Sequence, residues 1–270
     1  PSPGSAGHGT VGKALEVLDL VAAHGHPMRF AELQGMSRFP KATLYRFVQT
    51  LTGLGMLSFD PDRQTYSPGI RLLRLAHSAW AQSSLAPVAR PHIDALARDM
   101  GETVHLAQLD GGHVLYIDKR NARERVEMFS SAGKIGPAHC TGVGKAIMAF
   151  LPEDELAAAI SQQSFHVFTP ATISGEADLR AELADIRKSG HAFDREEHEP
   201  GIICIAVPIL TEGGRPLGAL SITSTTERRT LDDLRSIAPR IVEAADAIAQ
   251  DAQAWRFPDE TTPPHKARTG

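Results

Sequence analysis

Apolar residues recur at steps of three and four from Val11 to Ala23, with Val11, Ala14, Leu15, Leu18 and Val21 sharing one face. That period predicts a helix. His24-Gly25-His26-Pro27 ends it, and Phe30 to Leu33 reads as a second, short helix. Pro40 opens a third, since proline is tolerated in a first helical turn. Leu44, Phe47, Val48 and Leu51 form its buried stripe and leave Lys41, Ala42, Tyr45, Arg46 and Gln49 outside. Past Gly53 and Gly55 the pattern shortens to two strands. Met56 to Phe59 and Thr65 to Ser67 flank Asp60-Pro-Asp-Arg-Gln64, a hairpin with Arg63 near its tip. Three short helices and a hairpin are the layout of a winged helix-turn-helix, which sets its last helix in the DNA major groove.

Ile70 to Ser83 predicts a linker helix, and Ser83-Ser-Leu-Ala-Pro87 marks a boundary. A helix over Val88–Met100 follows, then Thr103–Leu109 and His113–Asp118 around Asp110-Gly-Gly112, a hairpin signal. Arg125–Ser130, Ile203–Ile209 and Leu217–Thr223 read as further strands. Gly142–Leu151, Asp154–Ser161, Ala177–Ser189 and a closing Leu231–Ala254 read as helices. The class is α+β: an N-terminal winged helix-turn-helix, a linker helix, and a C-terminal domain whose mainly antiparallel sheet is flanked by helices. The expected divisions are a disordered tail at 1–9, a DNA-binding domain at 10–69, the linker helix at 70–85, a sensor domain at 86–254 and a disordered tail at 255–270.

The net charge of −4 argues against nucleic acid until its distribution is considered. Residues 10–85 carry eight Lys/Arg against five Asp/Glu, a net of +3, so the remainder holds −4 − 3 = −7. A local field governs contact with DNA more than the chain total does. Cys140 and Cys204 are the only cysteines and lie far apart, which points to a reducing cytosol over a disulfide scaffold. No apolar run approaches the ~20 residues of a membrane span, and residues 1–9 lack the apolar stretch of a signal peptide. The expected location is cytoplasmic, with no membrane partner.

Lys41, Tyr45, Arg46 and Gln49 are suitable donors to bases and phosphates, Thr43 to a phosphate, and Arg63 would lie over the backbone. A solvated helix face has the same composition; the hairpin beside it favours DNA. Thr141-Gly-Val-Gly-Lys145 is not a P-loop, because His139 replaces the first glycine and Ala146 the metal-binding hydroxyl. Read as a helix start capped by Thr141, it offers unpaired N–H groups to a carboxylate; glycines that pack a helix closely would look alike. Ser221 and Thr223 alternate, so both face one way, either as a polar pocket floor or as cross-strand partners. Asp194 opens an acidic run with Glu196, Glu197 and Glu199, a pattern common in solvated loops. Neither a zinc or redox spacing nor a nucleophile–base–orienter set stands out, so no metal, cofactor or enzymatic activity is expected.

Pro40-Lys-Ala-Thr-Leu-Tyr-Arg46, followed by the hairpin and Tyr66-Ser-Pro-Gly-Ile-Arg-Leu-Leu73, resembles the IclR (isocitrate lyase regulator) family of transcription factors. Cys140-Thr-Gly-Val-Gly-Lys-Ala-Ile-Met-Ala149 and Phe193-Asp-Arg-Glu-Glu-His198 leading to Gly201-Ile-Ile-Cys-Ile-Ala-Val-Pro208 extend the likeness over residues 10–252. The resemblance implies a GAF-like effector domain, a homodimer or homotetramer on a palindromic double-stranded operator, and control of catabolic genes by a small keto, hydroxy or sugar acid. It is nearest to regulators of sugar-acid and pectin breakdown. Gly142 and Val143 match positions that hold an effector's acidic group, Asp194 one that accepts a hydroxyl, and Cys204 one that lines the pocket. Met128 would supply an apolar wall, or simply fill the core. Ser37-Arg38-Phe39 departs from the family's usual small or glycine turn. The alternative is a GAF-like enzyme or cysteine redox sensor fused to a helix-turn-helix.

Overall fold

The computed structural model describes residues 9–83, 85–123 and 128–254, and the chain divides into two compact units, 1–82 and 83–270. The first unit comprises α1 (Thr10–Ala23), β1 (Met28–Arg29), α2 (Phe30–Met36), α3 (Lys41–Gly53), β2 (Leu57–Asp60), β3 (Thr65–Pro68) and α4 (Ile70–Ser83). Val17, Val21, Leu33, Leu44, Val48 and Leu51 bury the helical stripes against Leu57 and Tyr66 of the hairpin. β1 is unexpected: two residues are too few to show a period, yet they pair with β3, Met28 opposite Tyr66. The Ser37–Phe39 turn needs no glycine. Arg38 keeps a negative φ, Ser37 Oγ accepts from the Phe39 N–H at 3.2 Å, and Arg38 pairs with Glu16 at 2.7 Å.

The second unit comprises α5 (Ala86–Met100), β4 (Thr103–Asp110), β5 (His113–Arg120), β6 (Ile135–Gly136), α6 (Gly142–Met148), α7 (Glu153–Ser161), α8 (Glu176–Ser189), β7 (Ala192–Arg195), β8 (Ile202–Leu210), β9 (Pro216–Thr225), α9 (Leu231–Ser236) and α10 (Ala238–Ala254). Its six strands are antiparallel neighbours in the order β6-β5-β4-β9-β8-β7. α6 packs on the sheet through Ala146 and Val143 against Ala206, Ala219 and Ala107, while α5 and α10 pack on each other and on β4 and β8.

Four expectations change. Of the strand expected at Arg125–Ser130, residues 125–127 lie outside the described residues and 128–130 form no strand. The edge of β5 is already taken, since Tyr116 donates to the Lys134 carbonyl at 3.0 Å and accepts from the Gly133 N–H at 2.7 Å. The closing helix is two helices that break at Ile237, because Pro239 has no N–H to continue the ladder and sits instead in the first turn of α10. α6 stops at Met148, and its exit tightens through Phe150→Ile147 and Leu151→Met148 bonds. Finally, the start of the acidic run is a strand, β7, in which Asp194 stands opposite Cys204.

Candidate functional site

Strand register assembles the site in the second unit. Asp194 of β7 pairs with Cys204 of β8, and Cys204 with Thr223 of β9. The adjacent row on the same face runs Ala206, Ser221 and His105 of β4. α6 begins over these rows. A Cβ on Gly142 would lie 2.5 Å from Cys204 Sγ and 3.3 Å from Ala206 Cβ, so only glycine lets the helix start this close. Gly144 is equally constrained, with a Cβ 2.5 Å from the Ala138 carbonyl oxygen. The packing reading of the glycines therefore holds: they let the helix start directly on the sheet. Thr141 does not cap the helix as expected; its hydroxyl donates to the Pro137 carbonyl at 2.7 Å.

The resulting cleft is lined by Met128, Gly142, Val143, Asp194, Cys204, Ser221 and Thr223, together with His105, Tyr116, Ser130, Thr141, His198, Glu199 and Ile202. All seven positions singled out in this domain meet there. The cleft is narrow, about 30 Å³, room for roughly two waters, so a larger occupant requires its lining to give.

Its chemistry is mostly neutral. Burial, then Lys119, pushes the His105 imidazole down to about 3, so it is uncharged at physiological pH. Ser130 Oγ lies 2.7 Å from its Nε2, and Thr223 and Ser221 hydroxyls lie 3.2 and 3.3 Å from its Nδ1. A neutral imidazole has one donor and one acceptor nitrogen. Two hydroxyls thus share one Nδ1, and at least one of their protons is not used by His105. Asp194 is pushed up to about 7 by burial and by Glu197, against the Glu197 N–H that donates to Oδ1 at 2.8 Å. Burial raises Glu199, but His198 and the Phe129 N–H outweigh it and hold that carboxyl below the ordinary value.

Behind α6, Lys145 is fully buried, its Nζ 2.5 Å from Glu197 Oε1 and 3.3 Å from Glu182 Oε1, and Arg195 reaches Glu182 at 2.7 Å. The lysine that resembled a phosphate ligand is a structural tie between α6, α8 and the loop after β7.

In the first unit, 100° per residue places Ala42, Arg46 and Gln49 at the centre of the outer face of α3. Lys41, Tyr45 and Gln49 also line a hollow of about 460 Å³ with Phe30, Phe59, Gln64 and Tyr66. Tyr45 is half-exposed and meets Phe30 edge-on at 5.8 Å. Thr43 lies on the far flank, half-buried. Arg63 is exposed at the hairpin tip, where Asp60 Oδ1 accepts the Asp62 and Arg63 N–H groups at 2.9 and 3.1 Å.

The family model described as bacterial transcriptional regulator IclR C-terminal matches residues 77–250, and the IclR helix-turn-helix domain matches residues 10–61. The chain belongs to the IclR family. It is 30% identical to the HTH-type transcriptional regulator XynR of Escherichia coli over 89% of this chain and 96% of that protein. The crystal structure of Thermotoga maritima IclR is 30% identical over 89% of this chain and 97% of that one, with a TM-score of 0.73. An IclR homolog from Microbacterium hydrocarbonoxydans complexed with 4-hydroxybenzoate shares the fold, at 23% identity over 91% of this chain and all of that one, TM-score 0.79. The matched families and relatives are transcriptional regulators, not enzymes.

Within this IclR-family chain, the cysteine-sensor alternative loses its chemistry. Both thiols are buried, and burial, then Asp194, drives them well above the ordinary range, away from the reactive thiolate. His105, Tyr116, Ser130, His198 and Glu199 escaped the sequence reading. His105 sits in an apolar–polar alternation on β4 whose inward phase becomes visible only with the register.

Proposed function

We propose that the chain binds a palindromic operator in double-stranded DNA as a homodimer or homotetramer and that a small organic acid alters its affinity there, controlling catabolic genes. On DNA, Arg46 and Gln49 take base edges, Lys41 and Thr43 phosphates, Tyr45 the groove side beside the wing, and Arg63 the backbone. Exposed Ile70, Leu73 and Leu75 on α4 are available to a second copy.

The observation that carries the effector reading is the single cleft formed by Asp194, Cys204, Ser221 and Thr223 beneath the Gly142-Val143 helix start. The first N–H groups of a helix have no intrahelical partner, and a spare hydroxyl proton lies close by, so the cleft is rich in donors for carboxylate and keto oxygens. α6 is short, so these donors, more than a long helix dipole, favour the anion. Asp194 takes a hydroxyl, and Met128 gives an apolar side. The 4-hydroxybenzoate bound by the Microbacterium relative, an acid with a hydroxyl, has the matching chemistry. Calorimetry of the full chain with lactate, pyruvate, 4-hydroxybenzoate and their amides tests this. The acids should bind and release operator DNA or retain it more tightly; amides that bind equally well would refute the carboxylate role.

A further inference from the structure

The β4–β5 ladder is irregular at one point, and that point falls beside the effector cleft. Leu106 stands opposite Asp118, but Ala107 stands opposite Tyr116, so Ile117 is the extra residue of a bulge. In a regular ladder Ile117 would stand opposite Ala107 and share the face of His105, and Tyr116 would point to the other face. The bulge reverses that phase and turns Tyr116 inward, where it lines the cleft with His105. The ring is then fixed from several sides. His105 meets it edge-on at 5.4 Å, and a Cβ on Gly136 would lie 3.4 Å from its Cε2. Gly133 and Lys134 hold its backbone at 2.7 and 3.0 Å.

Tyr116 is only 6% exposed. A tyrosine hydroxyl so enclosed ordinarily finds a hydrogen-bond partner, yet among the described residues this one has none. Burial, then Cys204, Asp194, Glu199 and Cys140, pushes it well above the ordinary tyrosine value, so it keeps its proton. Cys204, Asp194 and Glu199 belong to the cleft wall, so the hydroxyl end of the ring faces the cleft. In so narrow a space the polar groups of an occupant lie close together. A short acid carries its second oxygen on the carbon next to the carboxylate. We propose that Tyr116 is a specificity-determining residue of the cleft, whose hydroxyl donates to that oxygen and so selects 2-oxo and 2-hydroxy acids over plain ones. This assignment rests on the effector reading above. Both acid types fit: a keto oxygen accepts from Tyr116, and a hydroxyl can accept from Tyr116 while donating to Asp194.

The test is calorimetry of the full chain and of its Tyr116→Phe variant with pyruvate, lactate and propionate, which differ only at that oxygen. Phenylalanine keeps the ring and removes the hydroxyl alone. The native chain should prefer pyruvate and lactate to propionate. The variant should bind those two between about twofold and tenfold more weakly, the loss of one neutral hydrogen bond, and propionate as the native chain does. In thermal melts without ligand the variant should be as stable as the native chain or more so, because the group removed is buried without a partner. A marked loss of stability would show that the hydroxyl is already bonded within the fold, and would overturn the proposal. So would a native chain without the preference, unchanged affinity for pyruvate and lactate in the variant, or an equal loss for propionate, the mark of a packing role. If none of the three acids bound the native chain, the effector reading itself would fail, and this assignment with it.

Discussion

Asp194→Asn isolates the most strongly perturbed carboxyl of the cleft. The substitution keeps an acceptor for the Glu197 N–H that now bonds Oδ1 at 2.8 Å, and removes the charge. A carboxyl that holds its proton up to about 7 in the fold, against 3.8 in the open chain, resists ionisation there by roughly 4 kcal/mol in full. The folded state thus binds the proton more tightly than the unfolded state. This group's contribution is undiminished below pH 3.8, falls as the pH rises toward 7, and is constant above that. Integrated from pH 6 to pH 8, the remaining loss is about 1.4 kcal/mol. The substituted amide does not titrate, so the stability of the variant relative to the native chain should rise by about that amount over the same interval. Urea unfolding of both full-length chains at pH 5, 6, 7 and 8, followed by far-UV circular dichroism, measures it. Lys145 and His198 lie near enough to favour the charge and Glu197 to oppose it, so all three must be left intact. Parallel pH profiles, or a variant that loses ground as the pH rises, would refute the buried-proton account.

Other outcomes follow from the same geometry. Gly142→Ala should destabilise the second unit by about 1–3 kcal/mol, since its Cβ would stand 2.5 Å from Cys204 Sγ; Cys204→Ala should recover part of this in a thermal melt, and full additivity would contradict the close packing. Lys145→Met should cost about 3–5 kcal/mol by stranding Glu197, whose side chain is 3% exposed. The Lys145→Met/Glu197→Leu pair should cost less, and a larger loss in the pair would show that the charges are not coupled. Arg46→Ala should weaken operator binding by roughly 1–3 kcal/mol and relax specificity, while Lys41→Ala should weaken all sequences alike and flatten the salt slope, both read by fluorescence anisotropy. Unchanged affinity in both would move the recognition surface off α3.

Local period carries the first unit almost entirely. Leu44, Phe47, Val48 and Leu51 mark the buried side of α3 in a pattern that spans only a few residues, and the outer face follows by subtraction. The wing is likewise legible, because Asp60 and Pro61 supply the turn chemistry in sequence, although the positive φ of Gln64 is not announced by its residue type. The same locality explains the misses: Pro239 was enough to break a helix that the apolar period continues through, and β1 is too short to have a period.

In the second unit, alternation alone placed Ser221 and Thr223 on one face, and the motifs drew notice to Gly142, Asp194 and Cys204. Tertiary structure decided what those residues became. Asp194 belongs to a run of acids that reads as solvated, and only its pairing with β8 buries it and raises its pKa. His105 gains its three hydroxyl partners from Ser130, Ser221 and Thr223, the last two more than a hundred residues away. Lys145 finds Glu182 and Glu197 from two other elements, and Glu102 meets arginines from the far side of the sheet's sequence. Period and turn chemistry are properties of neighbours along the chain, so the sequence by itself determined most of the elements and, in the first unit, their inward faces. Burial, charge state and hydrogen-bond partners depend on strand register and close approach, which arise only when distant segments pack together.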